Sequence, residues 1–76
     1  MNISEENFII NLGIHVRQIR EKKGLSQQDL ADDCGITQNQ VGRIERAEIN
    51  TTVKTLVRIA NALDVEPKEL LDFPLK

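Results

Sequence analysis

Residues of the types that carry out catalytic or metal chemistry are scarce in this sequence. The chain has one histidine, His15, and one cysteine, Cys34. A single cysteine excludes a disulfide framework and a cysteine-based zinc site. His15 and Cys34 together supply too few soft ligands for a structural metal. No nucleophile and acid are placed with His15 as a catalytic triad requires. We therefore expect no metal, no cofactor and no enzymatic activity, with Cys34 in the core and His15 at the surface.

Length and composition indicate one small globular domain. The chain has 76 residues, of which 39% are hydrophobic and 29% are charged, whereas disordered chains are less apolar. No apolar run approaches the roughly 18 residues of a membrane span, and the N-terminal segment lacks the features of a signal peptide. We expect a cytoplasmic protein without membrane contact, too small for the pocket of most enzymes or for a small-molecule effector site.

The charge is distributed unevenly along the chain. The net charge is −2, although most nucleic-acid-binding domains are basic. Residues 15–28 and 36–58 are net positive, whereas the charged residues of 29–35 are all acidic. One face of the folded protein can therefore be basic while the whole is acidic.

Helix start and stop signals recur at short intervals, and strand-like alternation is absent. Ser26, Thr37 and Thr52 are good N-caps, Gly35 can end a helix, and Pro67 suits a first helical turn. Apolar residues between these signals repeat with the helical period. The sequence therefore predicts an all-α fold of five short helices within a single domain, 1–76. Their expected ranges are about 6–23, 27–34, 38–46, 53–63 and 67–72.

Residues 27–46 have the pattern of a helix-turn-helix. Only Gly35, Ile36 and Thr37 separate the second and third helices, and so short a connection forces a steep crossing angle. Ala31 is small where the helices would cross, and Gly35 accepts the positive φ of a tight turn. The expected inner positions of the unit are Leu30, Ala31, Cys34, Ile36, Val41 and Ile44.

This stretch resembles the lambda-repressor-like (Cro-type, xenobiotic-response-element) helix-turn-helix family of DNA-binding transcriptional regulators. The resemblance extends from about Leu12 to Leu71, in register, over nearly the whole chain. Its strongest part is the series Ser26-Gln27-Gln28-Asp29-Leu30-Ala31, Gly35-Ile36-Thr37, Val41 and Ile44-Glu45.

The chain departs from the family pattern at a few positions. Ser is common in the family where this chain has Gly42, Gly where it has Ala47, and Pro-Ser where it has Thr51-Thr52. Gly42 lowers helix stability by about 1 kcal/mol relative to alanine. Ala47 disfavours the left-handed turn that a glycine makes easily after the third helix.

The resemblance implies that the third helix enters the major groove of DNA, with its N-terminal residues at the base edges. If Val41 and Ile44 face inward, polar residues face outward, and their amides and guanidinium groups can bond adenine or guanine. A lone residue of this kind usually belongs to a solvated helix face, but the family pattern favours base contact. The predicted base-reading residues are Gln38, Asn39, Gly42 and Arg43, where Gly42 leaves room for DNA to approach.

Other residues are predicted to contact phosphates. Gln27 begins the second helix, where free N–H groups and the helix dipole attract anions, and the resemblance implies that its amide contacts a phosphate. The remaining candidates are Arg17, Arg46, Asn50, Thr51, Thr52 and Lys54. Family position gives Arg20 a different role, an internal ion pair with Glu45.

A dimer is expected because two copies on a two-fold axis read a palindrome with half-sites about 34–36 Å apart. Apolar residues near the C-terminus are the first candidates for the contact, namely Leu70, Leu71, Phe73 and Leu75. The face of the first helix that carries Ile10 and Ile14 is the second candidate.

The sequence therefore predicts a sequence-specific regulator that binds double-stranded DNA, acting as a homodimeric repressor. The alternative is a protein-interaction module, for example an antitoxin-type partner of a toxin, that keeps the fold with little or no DNA binding. The net negative charge and the apolar C-terminal segment favour this alternative, whereas Gln38, Asn39 and Arg43 count against it. A phage-type repressor, a restriction–modification controller and a toxin–antitoxin regulator are not distinguished, and the operator and the sign of regulation stay open.

Overall fold

The computed structural model describes residues 1–74, and this part of the chain folds into five α-helices without a strand. The predicted all-α class is therefore confirmed. The helices are α1 (Glu5–Lys22), α2 (Gln27–Cys34), α3 (Gln38–Glu45), α4 (Val53–Leu63) and α5 (Pro67–Leu70). The expected bounds of α2 and α4 are correct, whereas α1 is shifted by one residue, α3 ends one residue earlier and α5 is shorter than expected. In residues 1–74 no helix is long and apolar enough to cross a membrane.

Reciprocal side-chain caps define where the two helices of the central motif begin. Ser26 Oγ accepts the N–H of Asp29, and Asp29 Oδ2 accepts the N–H of Ser26, both at 3.0 Å. Thr37 and Gln40 form the same capping box at the start of α3. Hydrogen bonding of the Asp29 carboxyl to the backbone N–H of Ser26, and secondly to the Ser26 side chain, lowers the pKa of this carboxyl from its ordinary value. Gly35 ends α2 with φ +70°, the turn that its lack of Cβ allows.

One small core lies where the helices meet. α2 packs against α3 and α4, while α1 packs against α3 and α5. Cys34 is 4% exposed, which confirms its predicted place in the core, and burial raises the pKa of its thiol. The buried apolar residues are Leu12, Val16, Leu30, Ala31, Cys34, Val41, Ile44, Ile59, Ala60, Leu63 and Leu70.

The assignment of Leu70 to a dimer contact was wrong. Leu70 is 0% exposed, because α5 is about one turn long and this residue is the part of it that enters the core. The Leu70 side chain therefore holds α5 on the domain, and no part of this side chain is accessible to a second copy.

Gly13 marks a close approach of two helices that the sequence analysis did not identify. A Cβ on Gly13 would lie 2.5 Å from the carbonyl oxygen of Ile44 and 2.7 Å from that of Glu45. These atoms are backbone and cannot move aside independently. α1 can therefore pack against the end of α3 only because residue 13 has no side chain.

The turn after α3 is left-handed although it lacks a glycine. Ala47 has φ +59°, and the N–H of Glu48 bonds the carbonyl of Arg43 at 2.8 Å. The left-handed turn that Ala47 disfavours is therefore present all the same. The hydrogen bonds that close the helix offset the cost of placing a Cβ in the left-handed region, about 1–2 kcal/mol.

His15 lies at the surface as predicted, but it is half-buried. Its Nε2–H donates to the carbonyl oxygen of Glu69 over 2.8 Å. The Phe73 ring packs on His15 and on Phe8, with centroid distances of 5.6 and 5.0 Å. The segment after α5 therefore folds back along α1.

Candidate nucleic-acid interface

The outer face of α3 carries exposed polar side chains on a buried support. Val41 and Ile44 are 2% and 5% exposed and fix the inner side of the helix. Gln38, Asn39 and Arg43 are exposed. Within residues 1–74 Arg43 has no ion-pair partner, so its guanidinium donors remain available to an external acceptor.

Gly42 does not form the open notch expected from its lack of a side chain. The residue is buried, and a Cβ built on it would lie 2.8 Å from Arg46 Nη1 and 3.5 Å from Arg46 Cζ. The Arg46 side chain therefore occupies the space above Gly42. In this conformation a guanidinium group lies between Gly42 and solvent, so the predicted direct approach of DNA to Gly42 requires the Arg46 side chain to move.

Arg46 is held in this position by Glu48, a residue that the sequence analysis did not single out. Arg46 Nε lies 2.7 Å from Glu48 Oε2, and Arg46 Nη2 lies 3.4 Å from Glu48 Oε1. The hydrogen bond from Arg46 lowers the pKa of the Glu48 carboxyl, and the same bond raises the pKa of Arg46. In the sequence, the pair is visible only as opposite charges two residues apart. The left-handed turn at Ala47 brings the two side chains into contact.

The buried ion pair expected between Arg20 and Glu45 is present. Arg20 Nε and Nη2 lie 2.6 and 3.1 Å from the two carboxylate oxygens, and Nη1 donates to the carbonyl of Leu25 at 2.7 Å. The two side chains are only 9% and 3% exposed. The hydrogen bond to Glu45 raises the pKa of Arg20, which favours the charged form of the guanidinium.

Gln27 lies at the N-terminus of α2 and is connected to the same ion pair. Its Nε2 donates to Glu45 Oε1 at 3.0 Å, and the residue is half-buried. An amide nitrogen has two N–H groups, so one remains for an anion at the helix start. The buried carboxylate thereby fixes which end of the Gln27 amide is the donor.

The other predicted phosphate contacts differ in accessibility. Asn50 and Lys54 are exposed. Arg17 is also exposed and pairs loosely with Glu21, at 3.6 Å. Thr52 uses its hydroxyl to cap α4 by accepting the N–H of Thr55.

Thr51, another predicted phosphate contact, does not present its hydroxyl to solvent. Its Oγ1 is shielded from solvent and has no hydrogen-bond partner among residues 1–74. The fold of the loop turns this hydroxyl inward, so it cannot reach a phosphate.

The remaining apolar candidates for a dimer contact are partly exposed. Leu71 is 43% exposed, whereas Ile10 and Ile14 are 47% and 46% exposed. Ile14 and the half-buried Phe73 line one surface groove. Leu75, the fourth predicted contact, lies outside the described residues.

Five helices with a capped helix-turn-helix and an exposed polar third helix define a DNA-binding class of domain. The helix-turn-helix family model (HTH_3) matches residues 16–70. The chain therefore belongs to this helix-turn-helix family, and it is a DNA-binding transcriptional regulator.

Individual relatives agree with this assignment. The chain is 40% identical over 68 residues to the control protein C.BamHI of Bacillus amyloliquefaciens, covering 88% of this chain and 84% of the relative. The crystal structure of the restriction-modification controller protein C.AhdI from Aeromonas hydrophila matches with a TM-score of 0.81 and 39% identity, over 82% of this chain and 94% of that one. A hypothetical transcription factor from Neisseria, NHTF, matches with a TM-score of 0.84 and 31% identity, over 97% and 86% of the two chains.

Proposed function

We propose that the chain is a sequence-specific regulator that binds a palindromic operator as a homodimer and represses transcription, with α3 in the major groove. The observation that carries the proposal is the outer face of α3, where Gln38, Asn39 and Arg43 are exposed. Buried Val41 and Ile44 set the orientation of this face. Exposed amides at the N-terminal part of such a helix, with a guanidinium in its last turn, are suited to read base edges.

Each of these side chains has a chemical counterpart in the groove. The amide of Gln38 or Asn39 can bond N6 and N7 of adenine, and the guanidinium of Arg43 can bond O6 and N7 of guanine. Such contacts specify sequence, whereas phosphate contacts position the protein on the duplex.

Phosphate contacts are assigned to residues on either side of α3 in the chain. The free N–H of the Gln27 amide, at the start of α2, is suited to a phosphate on one strand. Asn50, Thr52 and Lys54, with the N-terminal N–H groups of α4, are suited to the backbone of the other strand, and Arg17 is an additional basic candidate. These groups contribute affinity that depends on salt and not on sequence.

The dimer contact is assigned to the apolar surface shared by α1 and the C-terminal segment. Ile14 and Phe73 line one groove, and Ile10 and Leu71 are further exposed apolar residues. An isologous contact of this surface with its copy is consistent with the two-fold symmetry of a palindromic operator.

The relatives favour one type of regulator among those that the sequence left open. Both C.BamHI and C.AhdI are described as control or controller proteins, and C.AhdI as one of a restriction–modification system. The chain covers most of the length of each. We therefore assign this chain to the control of restriction–modification genes.

The experiment that tests the function is selection of bound duplexes from a random DNA pool at a fixed salt concentration of about 100 mM, since affinity depends on salt. Enrichment of a palindrome with half-sites about one helical turn apart is expected. The oligomeric state is measured in parallel by sedimentation of the free protein and of the complex.

Two variants separate base contacts from phosphate contacts. Arg43→Ala should relax the preference at one base pair in each half-site by about 5- to 150-fold. Lys54→Ala should weaken binding to all sequences alike and reduce the salt slope by about 1. Identical behaviour of the two variants across sequences would overturn the division of roles, whereas no enrichment by the unaltered protein would favour a protein-interaction module.

A further inference from the structure

The outer face of α3 contains a second guanidinium group that folds back along the helix. Side chains of a helix lean towards its N-terminus and cover the preceding turn. Arg46 follows this rule, since its Nη1 lies 2.8 Å from where a Cβ of Gly42 would stand. The charged end of Arg46 therefore occupies the place of a side chain at position 42, one turn closer to the helix N-terminus than its own Cα.

This position belongs to the proposed base-reading face. Residues four apart lie on the same side of a helix, so Gln38, Gly42 and Arg46 form one row. Asn39 and Arg43 form the next row on the outer side. The guanidinium of Arg46, which lies over Gly42, is therefore in the row of Gln38 and beside the row of Asn39 and Arg43.

Glu48 decides which donors of Arg46 remain free. Its carboxylate takes the edge formed by Nε and Nη2, at 2.7 and 3.4 Å. Arginine has five N–H donors in a rigid plane, so one N–H of Nη2 and both of Nη1 remain. Two of these point in parallel from the end of the guanidinium, which is the geometry for bidentate bonding to O6 and N7 of guanine.

We propose that Arg46 reads a guanine in each half-site, with Glu48 as the residue that positions it and Gly42 as the residue that makes room for it. This inference rests on the proposed function and adds a specificity-determining residue to it. It also replaces the prediction that Arg46 contacts a phosphate. Arg46 can bond a base without leaving Glu48, because the two partners use different edges of the guanidinium.

Gly42→Ala tests the inference without altering Arg46. The added Cβ meets the far end of a flexible side chain, so the helix is retained while the guanidinium is displaced from the face. Alanine also has a higher helix propensity than glycine, so loss of folding is not expected. Circular dichroism and thermal unfolding of each variant confirm that the fold is intact.

The measurement is selection from the random DNA pool, followed by affinities for the operator and for duplexes altered one base pair at a time. Arg46→Ala should reduce discrimination at one guanine per half-site by about 5- to 150-fold. Gly42→Ala and Glu48→Gln should reduce discrimination at that same base pair, because each moves the guanidinium without removing it.

Two control variants accompany these. Arg43→Ala should affect a different base pair. Arg58→Ala removes one positive charge from an exposed position of α4 outside the predicted contacts, and should leave every preference unchanged.

The double variant Gly42→Ala/Arg46→Ala shows whether the two residues act together. If Gly42 acts only by making room for Arg46, the double variant should discriminate no worse than Arg46→Ala alone at the shared base pair. Additive losses would mean that DNA approaches Gly42 directly and would overturn its assigned role.

The possible results separate this inference from the proposed function. Uniform weakening by Arg46→Ala, with the preference at every base pair unchanged, would make Arg46 a phosphate contact and overturn the inference alone. Retention of the Arg46-dependent preference in Gly42→Ala would overturn the seating of the guanidinium over Gly42. If the unaltered protein enriches no sequence, the proposed function fails and this inference fails with it.

Discussion

Two arginine–glutamate pairs involve consecutive residues at the end of α3, and their surroundings differ sharply. The pair of Arg20 with Glu45 has side chains that are 9% and 3% exposed, whereas Arg46 and Glu48 are 54% and 49% exposed. The shortest nitrogen–oxygen distances are nearly equal, 2.6 and 2.7 Å. The two pairs therefore share chemistry and geometry, and burial is what separates them.

The direction of each pair follows from the helical period. Successive residues of a helix point about 100° apart, so Glu45 turns inward to α1 while the neighbouring Arg46 turns outward. A buried carboxylate needs partners for its charge, and Arg20 and Gln27 supply them. An exposed pair is solvated and contributes little to stability. Its side chains can therefore contact a ligand with little cost to the fold. The same pair of residue types is therefore structural when it is buried and available to a ligand when it is exposed.

The largest effect is expected from breaking the buried pair. Glu45→Ala leaves the Arg20 charge buried without its partner, which should lower the free energy of unfolding by about 3–5 kcal/mol. Urea unfolding followed by circular dichroism measures the change. The double variant Arg20→Met/Glu45→Leu should recover most of the loss, and failure to recover would mean that hydrogen bonds to Glu45 matter more than the uncompensated charge.

The next largest effect is expected at the close contact between α1 and the end of α3, which brings Arg20 within reach of Glu45. Gly13→Ala places a Cβ against the carbonyls of Ile44 and Glu45, which should cost about 1–3 kcal/mol through overpacking. Gly42→Ala is the matched control, because its Cβ meets the end of a flexible side chain and the fold should lose no stability. Thermal unfolding compares the two, and equal destabilisation would contradict the difference between rigid and flexible neighbours.

A smaller effect on stability, but a specific effect on binding, is expected from the exposed pair. Glu48→Ala should change the urea midpoint only slightly, because both partners are solvated and such pairs contribute little to stability. The same variant should lose base discrimination at the guanine assigned to Arg46. A large drop in the midpoint would show that the exposed pair supports the fold as the buried one does.

The smallest effect is the dependence of stability on pH through Glu48. Its carboxyl pKa is lowered in the folded state by the hydrogen bond from Arg46. Its contribution is therefore present above the ordinary glutamate pKa of about 4.3, and it is lost as pH falls through the lower folded value. NMR titration of the Glu48 carboxyl in the unaltered protein and in Arg46→Ala measures this, and an unchanged pKa would exclude the pair in solution.

Much of the fold was accessible from local signals in the sequence. Ser26 and Thr37 are caps whose partners lie three residues away, and Gly35 is needed where the chain turns with positive φ, so the central motif was predictable. The end of α5 was not predicted correctly. So short a helix has few local sequence signals, and the burial of Leu70 determines where it ends. The site was predictable where exposure follows the helical period, as for Gln38, Asn39 and Arg43.

The sequence by itself determined the five helices, the inward face of α3 and the class of protein, because capping and hydrophobic period act over three or four residues. Only the tertiary structure decided that Gly42 is covered and that Thr51 hides its hydroxyl. It also decided that Glu48 holds Arg46 through a left-handed alanine. These features depend on which surfaces meet after the chain has turned, and residue type and spacing do not specify those contacts.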